Sequence, residues 1–388
     1  MPPIPLLISA GEASGDMYAA RLATALKQRI DVALFGMGGP QMRAAGVEII
    51  TDYSKVSVVG ITEVLKRLPH LIHAMRHLVD EAERRRPPLA ILTDFPGFHL
   101  RLARKLLPLG VRNVYYICPQ FWAWRPWRAN LVRRRFAEAL CIFPFEQKFY
   151  SDARVPVKFI GHPLVGNVKA TLTRELFCTK YSLEPGIPLI TILPGSRRGE
   201  IAHHVPVLVE ALTQIRQTHQ GPLQMLVAVA PGLDLNHLKS RFPADLHVHF
   251  VENDAYNALA AADLAIVSSG TATVETALLD KPMIVVYRLS PLTARLAKPL
   301  VRTKFFSMVN LIAGRAVVPE LIQDDFTASR VAEEAEKLLP TSVENRNRVE
   351  IMTRGLVEVR RLLGPPGAVE RAADEIVRLL IAAQSNAK

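Results

Sequence analysis

Short apolar runs recur along this chain, and segments of helical periodicity lie between them. Pro5–Ala10, Val32–Gly36, Leu89–Thr93, Val114–Ile117 and Ala139–Ile142 form one series. Leu189–Leu193, Gln224–Ala230, His247–Val251, Leu264–Ser268 and Met283–Tyr287 form a second. Most of these runs lack polar alternation, as strands of a parallel sheet covered on both faces require. Helical stretches such as Tyr18–Arg29, Leu65–Arg86 and Val207–Gln217 separate them. The pattern predicts an α/β fold of two doubly wound, Rossmann-like domains.

The break between the domains falls after Gly161-His162-Pro163, in a polar stretch at about 165–187, so domains of 1–165 and 166–388 are expected. A final helix pattern, Ala368–Ala383, follows the breaker Gly364-Pro365-Pro366-Gly367 and is assigned to the second domain. It could pack on another domain or on another subunit, which leaves a homo-oligomer open. With 49% hydrophobic residues, the 388-residue chain can bury a large core. No apolar run reaches the ~18–20 residues of a membrane-spanning helix. The N-terminus turns polar within ten residues and reads as a buried strand, not a signal peptide. Cys118, Cys141 and Cys178 have no metal-type spacing and read as small buried apolar residues of a reducing compartment.

The formal charge is +12. Nucleic acid is the first partner such a balance raises, but no zinc-finger, RNP or KH pattern is present. The basic residues gather beside apolar ones, which suits an anionic lipid surface or phosphorylated substrates.

Several strand–helix turns carry chemistry. Ser9–Asp16, S-A-G-E-A-S-G-D, follows the first strand, where open α/β sheets bind ligands. Gly11 and Gly15 permit close approach, and Ser14 or Asp16 could cap a helix from about Met17. A plain turn is the rival reading, since Asp16 repels phosphate. Asp94 ends another strand, where it could take a proton from a sugar hydroxyl or brace the Pro96-Gly97 turn. Residues 118–128, C-P-Q-F-W-A-W-R-P-W-R, suit stacking, a lipid interface or packing under a loop. Val56–Leu78 has helically spaced apolar residues with Lys66, Arg67 and Arg76 between them. It reads as an interfacial or a core-facing helix, interrupted at Pro69.

In the second half, Gly195, Ser196 and Arg197 open a helix after a strand and suit a diphosphate. Ser269, Gly270, Thr271 and Thr273 do the same, and Glu275 in the first helical turn can reach ribose hydroxyls. Two phosphate-compatible loops in one domain predict nucleotide binding. There is no Walker A motif and no D-x-D metal motif, so arginine and helix dipoles stand in for a metal, and neither a metal nor a cofactor is expected.

The chain resembles the lipid-A-disaccharide synthases, inverting glycosyltransferases of the GT-B architecture. The resemblance rests on SAGEASGD (9–16), GMGGPQMRAAG (36–46), DFPGF (94–98), PQFWAWR (119–125), FPFE (143–146), GHPL (161–164), LPGSR (193–197), SGTATVE (269–275), NLIAGR (310–315) and VPELIQ (318–323). It implies two domains facing a cleft and a transfer from UDP-2,3-diacylglucosamine to 2,3-diacylglucosamine 1-phosphate. The products are a β(1→6) disaccharide 1-phosphate and UDP, in lipid A biosynthesis. It implies Asp94 as general base, Arg197 as the diphosphate clamp, and Asn310 facing the nucleotide. The loop Gly11, Glu12, Ser14, Gly15 and Asp16 then serves the acceptor. Val56, Val58, Val59, Ile61, Leu65 and Leu68 become contacts to lipid, on a protein peripheral to the cytoplasmic face of the inner membrane. Gly97 stands where the family often has a second Asp. A GT-B epimerase, needing no acyl substrate, and a non-catalytic lipid- or nucleic-acid-binding protein are the rivals.

Overall fold

The structure, a computed structural model, describes residues 2–55, 61–290, 293–295 and 303–385. The chain divides into two compact units, Met1–Pro163 with Gly364–Lys388, and Leu164–Leu363.

The first unit holds a seven-stranded parallel sheet. Its strands are β1 (Ile4–Ala10), β2 (Val32–Gly38), β3 (Glu48–Asp52), β4 (Leu89–Thr93), β5 (Arg112–Tyr116), β6 (Glu138–Cys141) and β7 (Val157–Phe159). Their order is β3-β2-β1-β4-β5-β6-β7. The second unit holds a six-stranded parallel sheet of β8 (Leu189–Leu193), β9 (Gln224–Val229), β10 (Val248–Glu252), β11 (Leu264–Ser268), β12 (Met283–Tyr287) and β13 (Glu320–Ile322). Its order is β10-β9-β8-β11-β12-β13. The apolar runs explain the central strands: β1, β4, β8, β11 and β12 are buried along nearly their whole length. Sequence patterning does not mark β3, β7 and β13. The first, EIITD, is only half-buried, and the other two are three residues long, too short to show a period.

In each sheet the chain winds outward from a central pair of strands, β1 beside β4 and β8 beside β11. Connections leave such a pair toward opposite sides, and this opens a crevice at the carboxyl ends.

Two expectations need correction. Residues 364–388 belong with the first unit, not the second. Helix Ala368–Ser385 buries Ala372, Ile376, Leu379 and Leu380, and Asp374 pairs with Arg29 at 2.6 Å, just beyond helix Ala13–Lys27. Glu375 and Arg378 form a charge cluster with Lys158 and Glu138 at β7 and β6. The Gly-Pro-Pro-Gly breaker ends the preceding helix but does not encode where the next one docks. Pro69 also does not interrupt the helix, which runs from Ile61 to Arg85. An interior proline costs about 3 kcal/mol. The stripe Ala74, Met75, Leu78 and Ala82, buried in the first unit's core, offsets that cost.

Candidate active site

In the first unit, the register pairs Ala10 of β1 with Thr93 of β4, so Gly11–Glu12 and Asp94–Phe95 leave the sheet side by side. Gly11 lies under Phe95: a Cβ there would meet the ring at 2.3 Å. Asp94 and Phe95 are both left-handed, at φ +48° and +45°. That conformation costs a non-glycine residue about 1 kcal/mol or more, so the surroundings must enforce it. They do so through the Asp94 backbone. Its carbonyl accepts from His99 Nδ1 at 2.7 Å and from the Tyr115 hydroxyl at 2.9 Å. The other ring nitrogen of His99 lies 2.8 Å from Ser9 Oγ. Burial pushes His99 down to about 4, so the ring is neutral. A carbonyl can only accept, which puts the proton on Nδ1 and makes the Ser9 hydroxyl the donor to Nε2.

Held this way, the Asp94 carboxyl is half-buried and pushed up to about 7. Desolvation is the main cause, the charge of Glu12 adds to it, and the Phe95 N–H partly opposes it. A carboxylate of that pKa can both hold and release a proton near neutrality. A second carboxyl, Glu146, is fully buried and pushed up to about 8 by desolvation. It accepts from Trp122 Nε1 at 3.1 Å and from the Phe143 N–H at 3.3 Å. His99 carries no signal in the sequence, and Glu146 appears there only as the end of the FPFE motif, with no role attached.

The rest of the first loop divides. Glu12 and Ser14 are exposed, and Gly15 packs on Ala10 and Thr93. The helix starts at Ala13, with no side-chain cap from Ser14 or Asp16, contrary to expectation. Asp16 is 1% exposed and accepts from the backbone N–H of Gly39 (2.7 Å), Gln41 (3.0 Å) and Met42 (3.2 Å). It caps the next helix, Pro40–Ala44, so it builds the loop and does not face a ligand. Val56, Val58 and Val59 lie outside the described residues, as do the side chains of Ile61, Leu65 and Leu68.

In the second unit, a cavity of about 730 Å³ opens at the carboxyl ends of β8 and β11. Gly195, Ser196 and Arg197 line one wall, and Ser269, Gly270, Thr271 and Glu275 another. A Cβ on Gly270 would meet open space, and its φ of +148° favours glycine. Glu275 accepts from the Tyr256 hydroxyl at 2.9 Å, and burial raises its pKa. Tyr256, Asn253 and Lys169 also line the cavity; they come from segments whose sequence carries no ligand signature.

The structure revises expectations at five residues here. The Ser196 and Arg197 N–H groups donate to the Glu200 carboxylate at 2.9 and 3.3 Å. Glu200, in the first turn of helix Arg198–Thr218, also lies 3.5 Å from the Arg197 guanidinium, so the helix caps itself with an acid where a phosphate was expected. The Ser269 N–H donates to Val286 O. Thr273 is buried, with its hydroxyl turned back to Gly270 O at 2.7 Å. Asn310 is also buried. Its amide group donates to Val318 O and Glu320, and its carbonyl accepts from the Val317 and Val318 N–H groups. Every polar atom of that side chain braces the turn at 314–320, and none is left to face a nucleotide. Arg197 and the Gly270–Thr271 turn remain at the cavity wall.

A sequence model of the lipid-A-disaccharide synthetase family matches residues 6–362. Lipid-A-disaccharide synthases of Myxococcus xanthus and Solibacter usitatus are 42% and 44% identical, each over 97% of this chain and 97% of theirs. Among solved structures, the S. aureus MnaA–UDP co-structure superposes with a TM-score of 0.66 at 12% identity, over 97% of each chain. The calicheamicin glycosyltransferase CalG4 gives 0.58 at 17%, over 98% of this chain and 99% of that one. At such identities these two show a shared fold, the GT-B fold.

Proposed function

The chain belongs to the lipid-A-disaccharide synthase family, glycosyltransferases of lipid A biosynthesis, and from that premise we propose how its own residues divide the reaction. The donor is a UDP-sugar, UDP-2,3-diacylglucosamine, and the acceptor is 2,3-diacylglucosamine 1-phosphate. The acceptor's 6-hydroxyl attacks the anomeric carbon. The new C–O bond forms as the bond to the diphosphate oxygen breaks, and that oxygen leaves with the electron pair. Asp94 takes the hydroxyl proton; its pKa near 7 suits a group that must be ionised before attack and protonated after it.

The UDP half occupies the cavity of the second unit. Arg197 faces the diphosphate, the Gly270–Thr271 turn supplies donors, and Glu275 meets the ribose. No metal or cofactor enters this reading, because a guanidinium and backbone dipoles balance the departing charge. The observation that carries the assignment is the cavity itself, flanked on both sides of the β8–β11 pair by the turns that suit a nucleotide.

Both substrates carry acyl chains, so the enzyme works at the cytosolic face of the inner membrane. Among the described residues no helix is long and apolar enough to cross it. Basic side chains near an anionic surface contribute about 1 kcal/mol each. The test is turnover. Purified protein is mixed with both substrates in detergent, and disaccharide 1-phosphate and UDP are followed by mass spectrometry. Product that disappears in Arg197→Ala supports the reading. Folded, UDP-binding protein that forms no product overturns the substrate assignment.

A further inference from the structure

Beside the Asp94 loop, the first unit carries a groove of about 740 Å³ that the transfer scheme does not use. It starts at Pro96 and Gly97, two residues beyond Asp94, and runs along helix Pro96–Leu106. Arg101, Arg104 and Lys105 line it from that helix, and Arg128 and Arg135 line it from the facing segment. Leu100, Leu131 and Trp127 supply apolar wall, and Trp127 is 59% exposed.

The electrostatics are unusual for a resting surface. Among the described residues no carboxylate pairs with any of these five cations. Other arginines bear on Arg128 and Arg135: Arg125 and Arg101 on the first, where Tyr115 opposes them weakly, and Arg104 and Arg134 on the second. Burial is the main reason that both pKa values are lowered, and this repulsion adds to it. Arg128 is wedged among the rings of Phe121, Trp124 and Trp127, with its Nε buried and unpaired. Like charges crowded against apolar walls destabilise a fold unless something anionic completes them. Guanidinium groups suit phosphate oxygens, which they bind bidentately.

We propose that this groove seats the phosphate end of the lipid acceptor, with Arg101, Arg104 and Arg128 holding the 1-phosphate and Leu100, Leu131 and Trp127 flanking an acyl chain. The inference rests on the acceptor assignment of the proposed function. It gives the 1-phosphate a function: the phosphate anchors the sugar while the 6-hydroxyl reaches Asp94 on the adjoining turn. Arg101, Arg104 and Arg128 are therefore specificity-determining residues.

The test compares two acceptors, 2,3-diacylglucosamine with and without its 1-phosphate, in neutral detergent micelles free of anionic lipid. Wild type is expected to favour the phosphorylated acceptor by about tenfold or more in kcat/KM, the scale of one charge-assisted contact. Arg101→Gln/Arg104→Gln brings the ratio toward one through the acceptor KM, and leaves UDP affinity as in wild type. Arg101→Lys/Arg104→Lys restores part of the preference, which a merely misfolded loop would not do. Acceptor binding is measured alongside by tryptophan fluorescence, so the answer does not depend on turnover. Wild type that binds both acceptors equally overturns the proposal. A Gln variant that keeps the wild-type preference also overturns it. If that variant instead stops floating with phosphatidylglycerol vesicles, the groove is a membrane contact. Wild type that binds the acceptor through its phosphate yet makes no disaccharide overturns the transfer reading alone.

Discussion

The two sheets put opposite chemistry at the same topological position. At the β1–β4 pair, carboxyl groups gather: Asp94, with Glu12 beside it, held in a desolvated, left-handed turn. At the β8–β11 pair, the walls are glycine turns and Arg197 around an open cavity, and Glu200, the acid beside Arg197, is spent on backbone N–H groups. A shared architecture therefore does not dictate what a switch point does. The difference lies in the turn into which each strand runs. A strained turn enclosed by His99 and Tyr115 withholds water from a carboxyl and raises its proton affinity. A glycine turn opening a helix leaves room for an anion.

The contrast breaks most visibly at Asp94. Asp94→Asn keeps the turn but cannot take a proton, so kcat should fall about 10²–10⁴-fold, the usual worth of a general base. UDP titration should not change. Wild-type kcat should rise with pH through about 7, and the variant's profile should be flat. A variant within fivefold of wild type would reduce Asp94 to a loop residue. The same group carries a stability signature. Its folded pKa is raised from 3.8 to about 7, so its contribution is fully present below the unfolded value and is lost as pH rises through about 7. Asp94→Asn should therefore melt above wild type at pH 8, with the gap closing toward pH 4.

Arg197→Ala is the matching cut in the second unit. Loss of a charge-stabilising donor should cost about 10²–10³-fold in kcat/KM and weaken UDP binding. The midpoint of the pH profile should stay where Asp94 sets it. A shifted midpoint would show that the two chemistries are not separable.

How far the sequence reaches depends on the physical origin of each feature. Buried parallel strands leave unbroken apolar runs, so β8, β11 and β12 are legible to the residue. That Asp94, Gly195–Arg197 and Ser269–Thr271 lie in turns at the carboxyl ends of strands is legible, because such turns follow the apolar runs. What a motif residue bonds to is not legible. Asp16 and Asn310 stand in glycine-rich and loop motifs like site residues, yet both spend their polar atoms on backbone groups. His99 and Glu146 reach the first site through long-range packing, and a single sequence records no such contact. The docking of Ala368–Ser385 fails for the same reason: an amphipathic face shows that a helix packs, not against what.

Two smaller changes sharpen the comparison. Glu200→Gln removes a negative charge from the anion cradle while leaving an oxygen where Oε2 accepts both backbone N–H groups. UDP should bind about three- to tenfold tighter, consistent with a partly screened charge a few ångströms away. Weaker binding would instead make Glu200 the group that aims Arg197 through their 3.5 Å contact.

The smallest effect is expected at Ser9. Ser9→Ala takes the donor from His99 Nε2 but leaves Nδ1–H on the Asp94 carbonyl. The ring stays neutral, since desolvation and not the serine sets its low pKa. The left-handed turn keeps the Tyr115 bond as well. The loss is then one buried acceptor without a partner, about 1–3 kcal/mol of stability by urea unfolding. Turnover should fall less than threefold, with its pH midpoint unmoved. A midpoint that drops toward the ordinary carboxylate range would mean that Ser9 keeps water from Asp94, and that the hydroxyl, not the backbone fold of the turn, sets the proton affinity of the first switch point.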